Sequence, residues 1–102
     1  MGEHHSIVGD KKIAVIGLGY VGLPLARLFA TQYAVVGFDI NQQRISELNQ
    51  GVDVTLEVEE DLLQSVLVAQ SSNEKGLYCS NQLADIADCT YYIITVPTPV
   101  DK

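Results

Sequence analysis

The sequence predicts an α/β fold with a four-stranded parallel sheet in the strand order 3-2-1-4 and helices on both faces. Short apolar runs alternate with segments of helical periodicity, in the order β-α-β-α-α-β-α-β. The second apolar run, Ala34–Phe38, contains no polar residue, which is typical of a central parallel strand covered on both faces. Because crossovers between parallel strands are right-handed, this order places the first strand between the second and the fourth.

Four strands and four helices account for most of the chain. The expected strands are Lys12–Ile16, Ala34–Phe38, Leu77–Cys79 and Tyr91–Val96. The expected helices run from Tyr20 or Val21 to Thr31, from Asn41 to Gly51, from Glu57 to Ala69 and from Ser80 to Ile86. Residues 71–76 are expected to form a polar loop.

Capping residues and apolar spacing define the helices. Asn41 is a suitable N-cap and Gly51 a suitable C-terminal stop, while Ile40 and Ile45 occupy the two positions of a hydrophobic staple. Helical spacing predicts one buried stripe on the first helix and another on the third. The two stripes are Val21, Leu25, Leu28 and Phe29, and Val58, Leu62, Val66 and Ala69.

A glycine-rich segment, Gly17-Leu18-Gly19-Tyr20-Val21-Gly22, joins the first strand to the first helix. Gly17 permits a sharp turn, Gly19 leaves room for a pyrophosphate, and Gly22 lets the helix pack closely. Asp39 ends the second strand 22 positions after Gly17, close to the spacing of about 20 at which a carboxylate reaches a cofactor ribose. Together these features predict a Rossmann-like dinucleotide site. The alternative is a tight strand-to-helix turn that binds no ligand.

A second segment, Val96-Pro97-Thr98-Pro99, follows the fourth strand. The first and fourth strands flank the point where the strand order reverses, and ligands bind there beyond the carboxyl ends of the strands. Two separate segments therefore converge on one crevice.

Composition argues against several other classes. The 102-residue chain is long enough for one domain and carries a net charge of −7 without a basic stripe, so no nucleic-acid partner is expected. Its apolar runs are shorter than the roughly 18–20 residues of a membrane span. Residues 1–10, which include His4 and His5, are expected to be a disordered leader or tag outside the fold.

No metal site is expected. Cys79 and Cys89 lack the spacing of a zinc site and are expected to be reduced, half-buried thiols. An acidic cluster suggests either a cation site or, preferably, the solvated first turn of a helix. It consists of Glu57, Glu59, Glu60 and Asp61.

The segments Val15–Ala26, Gly37–Asn41 and Val96–Pro99 resemble the N-terminal NAD-binding domain of the UDP-glucose/GDP-mannose dehydrogenase family. The string Gly-Tyr-Val-Gly-Leu-Pro within the first segment is much rarer than the bare glycine motif. Gly51–Val58 is most similar to the branch that acts on UDP-N-acetylhexosamines, since the UDP-glucose branch more often has Pro-Gly-Leu here.

The resemblance implies NAD-dependent oxidation of a UDP-sugar 6-hydroxyl to a carboxylate in two hydride transfers, by a cytoplasmic homo-oligomer in surface polysaccharide synthesis. It implies that Tyr20 and Val21 contact the pyrophosphate, Asp39 the adenosine ribose, Arg44 the adenosine, and Thr98 the cofactor. The full implied cofactor site is Gly17, Gly19, Tyr20, Val21, Gly22, Asp39, Arg44, Val96, Pro97 and Thr98. The alternatives are a solvated helix residue for Arg44 and a capping role for Thr98.

One departure from the family pattern limits what the chain is expected to do. The family's nucleophilic cysteine lies in a downstream Gly-Gly-x-Cys segment, with a helper lysine and asparagine, and neither Cys79 nor Cys89 matches it. Residues 11–102 are therefore expected to be the first part of the NAD-binding domain and to be inactive alone.

Two other functions are alternatives to the NAD-dependent nucleotide-sugar dehydrogenase. One is a regulatory nucleotide-sensing domain of a potassium transport system, although such domains usually lack the Tyr-Val-Gly-Leu-Pro and Val-Pro-Thr-Pro strings. The other is a methyltransferase, whose glycine loop is looser.

Overall fold

The computed structural model describes residues 11–53, 58–70 and 74–95. The strands are β1 Lys12–Ile16, β2 Ala34–Phe38, β3 Gly76–Ser80 and β4 Tyr91–Ile94. The α-helices are α1 Gly22–Ala30, α2 Gln42–Asn49 and α3 Glu60–Val66, and a short 3₁₀ helix spans Leu83–Ile86.

The four strands form one parallel sheet in the order β3-β2-β1-β4, which confirms the predicted topology. Ile16, the last residue of β1, is in register with Phe38, the last residue of β2. The Gly17 N–H then donates to the Phe38 carbonyl over 2.8 Å. The glycine turn and Asp39 therefore emerge side by side from the carboxyl edge of the sheet.

The core lies on both faces of the sheet, because successive side chains of a strand point to opposite faces. Ile13 and Val15 of β1 pack in one cluster with apolar residues of all three α-helices. Ala14 packs in a second cluster with Val36 and with Ile86 of the 3₁₀ helix. Both faces of β1 and β2 are covered, as their apolar sequences predict.

The predicted buried stripe of α1 is wrong. Val21 and Leu28 are 58% and 54% exposed, and the face turned to the sheet carries Leu23, Ala26 and Ala30. Gly22 begins this helix in contact with the Gly17 carbonyl. The close approach brings Leu23, Ala26 and Ala30 onto the sheet, and of the predicted stripe Phe29 is partly buried against the same core.

The caps of α2 are confirmed, but its hydrophobic staple is wrong. The Asn41 side-chain oxygen accepts the Arg44 N–H over 3.1 Å. At the other end Gly51 has a φ of 84°, and the N–H groups of Gly51 and Val52 return to carbonyls of α2 in a Schellman pattern. Ile40 is 85% exposed and does not form the staple.

The third helix is shorter than predicted. The predicted start near Glu57 is wrong, because Glu59 is extended at the N-cap position and the helix begins at Glu60. The helix ends at Val66 because Leu67 is extended and bridges to Leu77 of β3. Leu63 and Val66 are buried, while Leu62 and Ala69 of the predicted stripe are exposed.

Two predicted boundaries also differ. β3 continues through Ser80, which was expected to begin a helix; the Ser80 hydroxyl accepts the Gln82 N–H before the 3₁₀ helix starts at Leu83. β4 is described as far as Ile94, and Val96 lies outside the described residues.

The outer edge of β4 predicts self-association. The strand is uncharged, Ile94 is 69% exposed, and no described strand pairs with its outer side. Such edges pair with other chains, and lysine on an edge opposes this pairing. We expect light scattering to show association of the 102-residue chain at millimolar concentration and its reduction by Ile94→Lys. Leu28→Lys, on exposed α1 surface, is the control; a strictly monomeric parent chain would contradict the prediction.

Candidate dinucleotide-binding site

The turn at Gly17 is fixed by β2 through the Phe38 carbonyl and, from the other side, by Thr95 after β4. Its φ of 98° lies in the region that favours glycine. The Thr95 hydroxyl, beyond the end of β4, donates to the Gly17 carbonyl over 2.8 Å. A Cβ on Gly17 would lie 2.5 Å from the Thr95 carbonyl oxygen. Sequence reasoning missed Thr95, because the predicted fourth strand extends to Val96 and includes it, whereas the strand in the structure ends at Ile94.

The other two glycines of the motif have different roles. A Cβ on Gly22 would overlap the Gly17 carbonyl oxygen, so tight packing of α1 onto the turn requires glycine there. Gly19 has no positive φ, and no described atom lies within 4 Å of the position of its Cβ. Packing among the residues that the structure describes therefore gives no reason for glycine at position 19. Open space above this backbone suits a pyrophosphate.

The N-terminus of α1 opens onto the same space. Val21 occupies the N-cap position and makes no side-chain capping hydrogen bond. Tyr20 is 70% exposed, and Val21 is exposed beside it. Backbone N–H groups at a helix N-terminus attract anions, so this end of α1 is suited to phosphate.

Asp39 borders this space at the end of β2. One carboxylate oxygen accepts the Leu18 N–H over 2.9 Å, and the other accepts the Asn41 N–H over 2.9 Å. The residue is half-buried. Because each carboxylate oxygen can accept more than one hydrogen bond, both oxygens can still receive ribose hydroxyls.

Arg44 is buried beneath the turn. Its Nε and Nη2 donate to the Leu18 carbonyl over 2.9 and 2.6 Å. Its Nη1 donates to the Asp53 carboxylate over 2.8 Å. The alternative of a solvated helix residue is wrong, and the contact of Arg44 with the adenosine stays a prediction. Sequence reasoning also missed Asp53, since no motif or spacing links it to the glycine turn.

A family model described as the NAD binding domain of the UDP-glucose/GDP-mannose dehydrogenase family matches residues 11–102. The chain belongs to this family. It is 50% identical over 93 residues to a UDP-N-acetyl-D-glucosamine 6-dehydrogenase of Pseudomonas aeruginosa, covering 91% of this chain and 20% of the relative. The Salmonella typhi enzyme of the same name is 47% identical over 94 residues, covering 92% and 20%.

A solved structure agrees with the family assignment. The fold matches a UDP-D-ManNAc dehydrogenase of Pyrococcus horikoshii with a TM-score of 0.75 and 40% identity, covering 88% of this chain and 21% of that one. The chain therefore spans about a fifth of the length of these relatives. The predicted family, its UDP-N-acetylhexosamine branch and the cofactor NAD are confirmed. The potassium-transport alternative finds no support among these matches.

The arrangement around Gly19 fits NAD. The open backbone at Gly19 and the uncapped end of α1 suit a pyrophosphate, and the carboxylate of Asp39, hydrogen-bonded to the Leu18 N–H next to Gly19, suits a ribose. Val96, Pro97 and Thr98 lie outside the described residues, so their predicted contacts stay predictions. Thr95 shows that the chain reaches the glycine turn immediately before them.

The two cysteines of this NAD-binding domain are poor nucleophiles. Burial raises the pKa of Cys79 to about 12, although the positive charge of Arg44 partly opposes the rise. Burial also raises the pKa of Cys89. A thiol reacts as its thiolate, so neither side chain is activated near neutral pH. This agrees with the expectation that neither is the family's catalytic cysteine.

The described ranges contain neither a metal-binding cluster nor a membrane-spanning helix. The residues in 11–53, 58–70 and 74–95 contain no group of three side chains arranged to hold a metal ion. Glu60 and Asp61 lie exposed in the first turn of α3, as a solvated helix start requires. Among the helices of those ranges, none is long and apolar enough to cross a membrane.

Gly19→Val tests the phosphate cradle. Because the Cβ position is open, we expect the free energy of unfolding to change by less than about 1 kcal/mol. The added side chain would occupy the space of the pyrophosphate, so NAD binding measured by calorimetry should be lost. Gly22→Val is the matched control and should destabilise the fold by about 3 kcal/mol or more. NAD binding by Gly19→Val with the parent affinity would contradict the assignment.

Proposed function

We propose that this chain supplies the NAD-binding part of a dehydrogenase that oxidises the 6-hydroxyl of a UDP-N-acetylhexosamine or UDP-hexose to a carboxylate. The observation that supports it most is the open backbone at Gly19 beside the Asp39 carboxylate. The names of the two relatives about half identical to the chain support UDP-N-acetyl-D-glucosamine as the first substrate to test.

The residues of this chain bind and orient the cofactor. The N–H groups at the start of α1 face the pyrophosphate over Gly19, and Tyr20 and Val21 flank it. Asp39 accepts the hydroxyls of the adenosine ribose and so fixes the adenosine half of NAD at the end of β2. A contact of Thr98 with the cofactor belongs to the same proposal, on the strength of the family resemblance. Bound NAD supplies the hydride acceptor.

Chemistry on the sugar needs a nucleophile and a proton acceptor placed at the 6-carbon. The pKa of each cysteine thiol is raised by burial, so neither Cys79 nor Cys89 is suited to this role. The catalytic step therefore belongs to residues outside this chain, and the 102 residues alone bind cofactor without turning over substrate.

The cellular setting is proposed on the same basis. A uronate made from a nucleotide sugar is a building block for surface polysaccharide, so we propose that the protein acts in the cytoplasm in that synthesis. A homo-oligomeric state is proposed on the family resemblance alone. The net charge of −7 opposes binding to nucleic acid and to anionic membrane surfaces.

Cofactor selectivity follows from Asp39. The 2′-phosphate of NADP would lie against a carboxylate already fixed by two backbone N–H groups. At about 4 Å such a like-charge contact opposes binding by several kcal/mol at intermediate dielectric, so calorimetry should show NAD binding at least about tenfold more tightly than NADP.

Asp39→Ser should reduce this preference, while Glu60→Ser, which removes an exposed carboxylate from α3, should leave it unchanged. Equal or tighter binding of NADP by the parent chain would contradict the role of Asp39.

The reaction is tested on the longest natural protein that contains this chain. We expect NADH to appear with NAD and UDP-N-acetyl-D-glucosamine, with two NADH formed per uronate, because the hydroxyl is oxidised twice. The 102-residue chain should form none under the same conditions. Failure of the longer protein with UDP-N-acetylhexosamines and UDP-hexoses alike would refute the proposed activity, and NADH from the 102 residues alone would refute the assignment of catalysis outside them.

A further inference from the structure

We propose that Asp53 is a positioning residue for NAD, acting through Arg44 on the Leu18–Gly19 peptide of the glycine turn. The inference rests on NAD binding at this turn. Asp53 itself has a fully buried side chain, so its influence on the cofactor passes through Arg44.

Arg44 fixes the Leu18 carbonyl with two hydrogen bonds, from Nε over 2.9 Å and from Nη2 over 2.6 Å. A planar trans peptide points its carbonyl and its N–H in opposite directions. By holding the Leu18 oxygen, the guanidinium therefore directs the Gly19 N–H away from Arg44. That N–H belongs to the residue whose Cβ position is open.

The preceding peptide is fixed as well. The Leu18 N–H donates to Asp39 over 2.9 Å, so both peptide groups that flank Leu18 are held by charged side chains. The Leu18 side chain is fully buried. The orientation of Arg44 thus affects the proposed pyrophosphate contact at Gly19 and the proposed ribose contact at Asp39.

Asp53 sets that orientation. Its Oδ1 accepts Arg44 Nη1 over 2.8 Å, and its Oδ2 accepts the Val58 N–H over 2.9 Å. The Asp53 carboxylate is therefore hydrogen-bonded to the backbone just before α3. It binds Arg44 at Nη1, while Nε and Nη2 of the same guanidinium bind the glycine turn. A planar guanidinium held at Nη1 presents Nε and Nη2 in fixed directions.

A purely stabilising role explains this pair less well. Two charges buried together lose much hydration, and an apolar pair of similar volume is often as stable or more stable. The chain contains a contrasting ion pair, Lys12 with Asp88, at the opposite end of β1 from the glycine turn. The Asp88 side chain is 69% exposed, against none for Asp53.

A double-mutant cycle tests the proposal, with NAD affinity measured by NMR titration and stability by denaturant unfolding. Asp53→Asn, Arg44→Met and their combination are compared with the parent chain. We expect Asp53→Asn to raise the Kd for NAD about tenfold or more and to shift the Gly19 amide signal before NAD is added. In the Arg44→Met background the same substitution should leave the Kd unchanged, because the effect of Asp53 passes through Arg44.

Asp88→Asn is the matched control. It breaks the other ion pair and should leave the Kd and the Gly19 signal as they are. An unchanged Kd in Asp53→Asn, or an equal loss in both Arg44 backgrounds, would overturn the proposal. A parent chain that does not bind NAD would instead refute the proposed function on which the inference rests.

If Asp53→Asn does not fold, the uncharged pair Arg44→Met/Asp53→Leu replaces it, since apolar pairs are tolerated where buried ion pairs are removed together. We expect stability close to that of the parent, a shifted Gly19 amide signal and a Kd raised about tenfold or more. An unshifted signal or a parent-like Kd would overturn the proposal.

Discussion

The backbone at Leu18 is the constraint on which the site depends. Parallel register brings the ends of β1 and β2 together, so the turn after one strand meets the acid after the other. Asp39 then accepts the Leu18 N–H, and Arg44 donates to the Leu18 carbonyl. Leu18 thus links the charged side chains of Asp39 and Arg44 through hydrogen bonds of its backbone N–H and carbonyl groups.

The three glycines of the turn illustrate how one motif serves different physical demands. Gly17 is required by a positive φ and by the closeness of Thr95, and Gly22 is required by its contact with the Gly17 carbonyl. Gly19 meets neither demand, because its φ is ordinary and the space beside it is open. Packing among the described residues does not require glycine at position 19, and this is the position where we propose that the cofactor approaches.

The described side chains of this molecule are suited to binding a ligand and not to reacting with it. The charged side chains around the turn are fixed by hydrogen bonds to backbone atoms, which suits them to hold a ligand in one geometry. The thiols of Cys79 and Cys89 lie in the core, where burial keeps them protonated by raising their pKa. This agrees with a chain that spans about a fifth of the length of its dehydrogenase relatives.

The sequence by itself determined the parallel sheet, its strand order, the cap at Asn41 and the family. These features depend on residues near one another in the chain: apolar runs, turn glycines and a carboxylate at a fixed distance from the turn. Local chemistry also places Gly19 and Asp39 at the carboxyl ends of neighbouring strands, because parallel strands end at one edge.

Tertiary structure decided which helix faces are buried and how Arg44 is used. The stripe of α1 is rotated because Gly22 lies against the turn, a contact that helical spacing does not contain. Arg44 is turned inward because Asp53, nine positions later, and the Leu18 carbonyl, 26 positions earlier, converge on it. Helical periodicity predicts only which residues of one helix share a face. The buried ion pair depends on how the glycine turn, α2 and the segment at Asp53 meet in space.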